Sequence, residues 1–183
     1  MMKANPGVYL WAALLLLILP LNWVFSGLAA ALIHEICHLL VLKLMGGSVK
    51  SVRITACGCV METSELTDVQ ALFSILAGPA GSLLLALLIR KKPRLAVCGL
   101  FHGMYNLLPF FPLDGGRVLQ LVLCRYCPEH ADSIGLWTGR IFCLGILVAT
   151  VSVSIAYHLG VAPSVLALLW VQRFLPRKIP CKP

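Results

Sequence analysis

His34-Glu35-Ile36-Cys37-His38 sets two imidazoles four residues apart, with a carboxylate beside the first. On an α-helix, residues i and i+4 lie on one face a turn apart, so the two rings can hold one metal ion and Glu35 is placed to act on water at that ion. The flanks carry equal weight. Leu28-Ala29-Ala30-Ala31-Leu32-Ile33 before the motif and Leu39-Leu40-Val41-Leu42 after it have the composition of a segment within hydrocarbon. An ionisable group at that depth costs about 2.5–3.5 kcal/mol on insertion scales, and such groups are retained mainly for a pathway or a site. A catalytic zinc takes three protein ligands and keeps a fourth position for water or substrate. One further His, Asp or Glu is therefore required, and Asp114 fits best. It stands in Phe111-Pro112-Leu113-Asp114-Gly115-Gly116-Arg117, where prolines and glycines break a helix. Breaks at membrane depth are tolerated only where protein or a water-filled cavity surrounds the backbone. The expected cofactor is Zn2+, one per chain.

Other polar groups in apolar surroundings are candidates for supporting roles. Asn106 can donate to a developing oxyanion or orient substrate, and an amide there serves equally well in a helix-capping or interhelical hydrogen bond. His102, one turn earlier, reads first as a hydrogen-bonding partner for another helix and second as a proton relay or a support for a ligand. Cys37 points away from the two histidines and reads as packing. Cys57-Gly58-Cys59 and Cys124-Arg125-Tyr126-Cys127 are lone pairs without a partner pair at a recognised spacing, so reduced structural thiols are expected.

The elements that position these groups follow from the composition. Of 183 residues, 60% are hydrophobic and 12% charged, which excludes an ordinary soluble domain. A net charge of +8 would suit nucleic acid in a soluble protein, but here the basic residues sit where apolar runs end, so the bilayer is the expected partner and nucleic acid is not. Spanning segments are expected near 7–22, 24–45, 69–90, 95–123, 135–157 and 161–175. The first is read as a retained helix rather than a cleaved leader, with a tight turn at Pro20–Asn22. The fourth is irregular through Asn106, Pro109, Pro112 and Gly115–Gly116. Between the second and third, Gly46–Gly47 ends a helix and Val52, Ile54 and Ala56 alternate with polar residues, which predicts a short β-hairpin within 46–68, the only strand-like segment. The fold class is thus an all-α polytopic membrane protein with about six transmembrane helices and one hairpin, forming a single domain over 1–183. Eleven of the 15 basic residues fall on the side of both termini, which is expected to be cytoplasmic. Arg90, Lys91, Lys92 and Arg94 oppose that orientation.

H-E-x-x-H, followed by Asn106-Leu107-Leu108-Pro109 and Leu113-Asp114-Gly115 and preceded in the intervening helix by Ala77-Gly78-Pro79, resembles the site-2 protease family over about 25–125. The resemblance implies that His34, His38 and Asp114 are zinc ligands and that Glu35 is the general base and later the proton donor to the leaving amine. It implies cleavage of a membrane-tethered protein within or near its transmembrane segment, in regulated proteolysis. It also implies that the 46–68 hairpin is membrane-associated and can pair with an unwound substrate segment. The bare six-span plan looks most like the compact bacterial branch that includes the sporulation sigma-factor-processing proteases, in the cell membrane. Ser82 departs from the asparagine that members often carry there, so a substrate role at that position is not carried over. The chain holds no insert of PDZ length and no CBS pair, so control is expected from substrate or from a regulatory membrane protein. The alternative is a metal-ion transporter or sensor using the same His, Glu and Asp groups, but that function favours polar residues staged along several helices.

Overall fold

A computed structural model describes residues 3–4, 19–55, 58–64, 66–158 and 160–173. The chain divides into two compact units, Met1–Leu107 and Leu108–Pro183. Three of the described helical segments, Leu21–Leu44, Asp68–Leu88 and Ala131–Ala156, are long and apolar enough to cross a membrane, and the protein is an integral membrane protein. The expected span at 7–22 lies outside the described residues apart from its last few.

The first unit is built on helices α1 (Leu21–Leu44), α2 (Asp68–Leu84) and α3 (Pro93–Asn106), with a 3-10 turn at Leu85–Leu88 between the last two. Helix α1 begins at Leu21, so Asn22 belongs to the helix rather than to a turn before it, with Pro20 accepting from the Trp23 N–H at 2.8 Å. Its far end is closed by Gly46, whose φ of +81° is open to glycine at no steric cost. Two stripes run along α1. Leu28, Leu32, Ile36, Leu40 and Leu44 are exposed at every fourth position, while Ala30, His34 and Leu42 are buried and His38, on the same spacing, is half-buried. A water-soluble helix would bury most of its large apolar side chains; here five of them face outward, as lipid allows, and the inward stripe holds a small residue and a polar one beside Leu42.

Helix α2 is started by a capping box. The Gln70 N–H donates to Thr67 Oγ1 at 3.4 Å and the Thr67 N–H to Gln70 Oε1 at 3.0 Å, satisfying donors that a helix start leaves open. Gln70 Nε2 also donates to the Met45 carbonyl at 3.1 Å, which fixes the start of α2 to the end of α1. The register of the two helices follows, with Ser74, Gly78, Pro79 and Ser82 buried on α2. Helix α3 packs through Ala96, Gly99 and Gly103; a Cβ at Gly99 would lie 2.7 Å from the Ser82 carbonyl and one at Gly103 3.1 Å from the Pro79 carbonyl. Small residues at these positions allow close backbone approach.

Between α1 and α2, strands β2 (Val49–Thr55) and β3 (Gly58–Thr63) pair antiparallel, with Arg53 opposite Val60 and a register shift between Val49 and Ser51. A further strand, β1 (Lys3–Ala4), pairs parallel with β2 at Arg53 and Ile54. The expectation of a single strand-like segment is corrected: two residues are too few to show alternation, and what makes them a strand is an edge supplied by β2.

The second unit opens with a turn over 108–113 and continues through α4 (Asp114–Tyr126), α5 (Ala131–Ala156) and α6 (Ala162–Arg173). The irregular segment expected over 95–123 is thus two helices, α3 and α4, separated where Pro109 and Pro112 remove the N–H groups a continuous helix needs. Phe110 and Leu113 are buried, and Phe110 stacks on Phe142 of α5 with ring centroids 5.8 Å apart. Thr138 and Thr150 donate to carbonyls one turn back in α5 at 2.8 and 2.7 Å, which satisfies hydroxyls in an apolar helix. Cys124 is disulfide-bonded, whereas Cys127 is a free, exposed thiol. The expectation of reduced thiols therefore fails at Cys124, because its partner is not Cys127 and the spacing of the pair says nothing of a bridge to a more distant cysteine.

Candidate metal centre

His34 and His38 project from the inward stripe of α1, with His34 almost fully buried. Their Nε2 atoms are 3.0 Å apart, and the rings meet edge to face with centroids 4.6 Å apart. The other nitrogen of each ring is engaged by α2: His34 Nδ1 lies 2.9 Å from Ser82 Oγ and His38 Nδ1 lies 2.7 Å from the Ser74 carbonyl. A carbonyl only accepts, so His38 Nδ1 carries the proton and its Nε2 presents a lone pair. If Ser82 accepts in the same way from His34, two lone pairs converge, an arrangement that a shared cation relieves. Two imidazole nitrogens on a tetrahedral zinc at 2.0–2.1 Å would stand about 3.3 Å apart, so the pair fits the ion.

Missing atoms on α2 make this possible. A Cβ at Gly78 would run into the imidazole of His38, and one at Gly81 into the thiol of Cys37. Cys37 therefore packs as expected, but against α2 on the side of the histidines rather than away from them, since residues three apart share a helix face, and Gly78 leaves the space that a histidine ring fills. The Gly78-Pro79-Ala80-Gly81-Ser82 run gives sequence reasoning a helix with small residues; which ring each one accommodates is set by the register of α1 on α2. His102 of α3 stands against His34 at 4.7 Å between ring centroids, edge to face. Glu35, next to His34, is half-buried.

Asn106 is the last residue of α3, and its Nδ2 donates to the His102 carbonyl at 3.0 Å, a bond within its own helix. In the second unit, Asp114 is the first residue of α4 and is buried. A carboxylate there meets the positive end of the helix dipole, and Arg117 Nη1 lies 3.9 Å from its Oδ1. His34 and His38 in the first unit and Asp114 in the second are two imidazoles and a carboxylate, a donor set typical of catalytic zinc.

The model of the Peptidase M50B-like family matches residues 7–102, more than half of the chain and all of the segment that bears the histidines. The chain belongs to this peptidase family. Rip3 of Mycobacterium tuberculosis, classed by name among zinc metalloproteases, is 33% identical over 165 residues, covering 79% of this chain and 40% of Rip3. The zinc metalloprotease MJ0392 of Methanocaldococcus jannaschii is 24% identical over 129 residues, covering 63% of this chain and 35% of that protein. The chain thus spans two fifths or less of the length of these relatives. The solved structure of a site-2 protease from Methanocaldococcus jannaschii matches with a TM-score of 0.70 at 18% identity, over 100% of this chain and 93% of that one. The M50B-like chain therefore has the fold of a site-2 protease.

Proposed function

We propose that this chain is a zinc metalloendopeptidase that hydrolyses a peptide bond in or near a transmembrane segment of a membrane-tethered protein. One observation carries the reading. On a helix apolar enough to cross a membrane, the two histidines of H-E-x-x-H meet Nε2 to Nε2 at 3.0 Å, each with its Nδ1 engaged by α2. Membership in a peptidase family and relatives named as zinc metalloproteases supply the reaction class and the metal.

In this reading His34, His38 and Asp114 hold one Zn2+. When bound, the ion acidifies water toward a pKa of about 7 and polarises the scissile carbonyl. Glu35 takes a proton from the attacking water as the water oxygen bonds to the carbonyl carbon. It then returns that proton to the amide nitrogen as the C–N bond breaks, leaving a carboxylic acid and an amine, which ionise to carboxylate and ammonium. Asn106 assists the oxyanion or the substrate through the second hydrogen of its Nδ2, the first being given to the His102 carbonyl. Both units form one protease domain of about six spans, in a bacterial cell membrane with the termini in the cytoplasm. The β2–β3 pair lies at the membrane beside the cleft and offers an edge to an extended substrate. Control comes from the substrate or from a regulatory membrane protein.

The test is zinc content and cleavage of a panel of membrane-tethered peptides by the detergent-purified chain, beside Glu35→Gln and Asp114→Ala. The expected result is about one zinc in the wild type and in Glu35→Gln, with cleavage reduced at least about 100-fold in the latter, and loss of both zinc and cleavage in Asp114→Ala. Cleavage by Glu35→Gln at the wild-type rate overturns the mechanism, and zinc flux across liposomes without any cleavage overturns the reaction class.

A further inference from the structure

We infer that Ser82 is a positioning residue of the metal site: its hydroxyl accepts from His34 Nδ1–H and so keeps the Nε2 lone pair aimed at the metal. The inference rests on the proposal that His34 is a metal ligand. Ser82 occupies the position where the resemblance to site-2 proteases leads one to look for a substrate-contacting side chain, but it is fully buried and a side chain without exposure does not meet a substrate. What its oxygen does meet is His34 Nδ1, at 2.9 Å.

The chemistry of the ring makes that contact consequential. A neutral imidazole carries one proton, and the nitrogen that holds it cannot bind metal. For His34 to present a bare Nε2, the proton must be on Nδ1, and Nδ1–H then needs an acceptor in a place from which water is excluded. Ser82 Oγ is in that place. Without it, the tautomer with Nδ1–H leaves a buried donor unpaired, and the balance shifts to the tautomer with Nε2–H and a bare Nδ1, which blocks the metal. His38 does not depend on a side chain in this way, since its Nδ1 is held by the Ser74 carbonyl. The two ligands are thus set by one face of α2 through different means, a hydroxyl for one and a backbone carbonyl for the other.

The packing accounts for serine at this place. Gly99 of α3 comes so near that a Cβ there would stand 2.7 Å from the Ser82 carbonyl, and the His34 ring is bounded by His38 and His102 at 4.6 and 4.7 Å between centroids. A short side chain with one acceptor suits a space closed on these sides.

The experiment is zinc affinity of the full chain in detergent, by competition with a fluorescent chelator, for the wild type, Ser82→Ala, Ser82→Thr and His34→Ala, together with thermal unfolding of each metal-free protein and the visible absorption of the cobalt-loaded forms. Loss of a hydrogen-bonding support of this kind lowers metal affinity by about 10- to 100-fold. Ser82→Ala is expected to weaken zinc by that factor and to alter the cobalt bands while the metal-free protein unfolds at the wild-type temperature. Ser82→Thr, which keeps the hydroxyl, is expected to restore affinity to within about threefold. Zinc affinity of Ser82→Ala within about twofold of wild type overturns the inference and leaves the ligand assignment standing. Weakened zinc together with a destabilised metal-free protein and no recovery in Ser82→Thr overturns it in favour of a packing role. Unchanged affinity in His34→Ala removes the ligand assignment itself, and the inference with it.

Discussion

His34 and His38 belong to an uninterrupted helix of 24 residues, whereas Asp114 starts a helix directly after the turn over 108–113. The histidines owe their separation to helical periodicity and their orientation to a neighbouring helix: α2 supplies an oxygen for each Nδ1, and at Gly78 an absence of side chain for one ring. Asp114 stands at a helix start, with Arg117 of its own helix 3.9 Å from its carboxylate. Its place is set by the turn itself, through the buried Phe110 and Leu113 and through Gly116, where a Cβ would run into the backbone of Phe110 and Phe111. In the first case the demand falls on what faces the helix, and in the second on whether the local chain can fold at all.

Substitutions separate these two means of holding a side chain. Gly78→Ala puts a methyl group where the His38 imidazole stands, and the ring, held at Nδ1 by a backbone carbonyl, has no equivalent position to take. Zinc affinity is expected to fall about 100-fold or more, with cleavage falling alongside, as read by chelator competition and peptide assay. Retained affinity would mean that α2 yields and that the contrast with the turn is smaller than described. Gly116→Ala acts on backbone that cannot move aside, and is expected to destabilise the protein by about 1–3 kcal/mol, read as a lower unfolding temperature of the metal-free chain. Here stability should change even without metal, which is the distinguishing sign. The smallest effect is expected from Phe142→Leu, which removes the stack on Phe110 and should cost about 1 kcal/mol; a change in zinc affinity without a change in stability would show that Phe110 serves the metal more directly than the turn.

The helix that bears His34, Glu35 and His38 was legible because spacing alone puts i and i+4 on one face, and because the flanks gave no other reason for two histidines in hydrocarbon. The end of α1 was legible in Gly46, whose positive φ is a local property. The break before Asp114 was legible as a break, through Pro109 and Pro112, but its outcome as two separate helices depends on packing around Phe110 that no pattern announces. Ser82 was visible only as a departure from asparagine; its contact with His34 exists because Gln70 and Met45 fix how α2 lies along α1, a long-range fact. For the same reason the pairing of Lys3 and Ala4 with β2, and the disulfide of Cys124, had no local signature.

The two stripes of α1 bear on how this helix can change over evolutionary time. Its outward side chains, Leu28, Leu32, Ile36, Leu40 and Leu44, answer only to the lipid and can be exchanged among apolar types with little consequence. Its length is another matter. Each residue advances the helix by about 100°, so a single insertion between His34 and His38 would swing one imidazole out into hydrocarbon while leaving composition and hydropathy almost untouched. This segment is therefore free to drift in spelling and constrained in metre, and a census of insertions and deletions would mark it out more sharply than a count of substitutions.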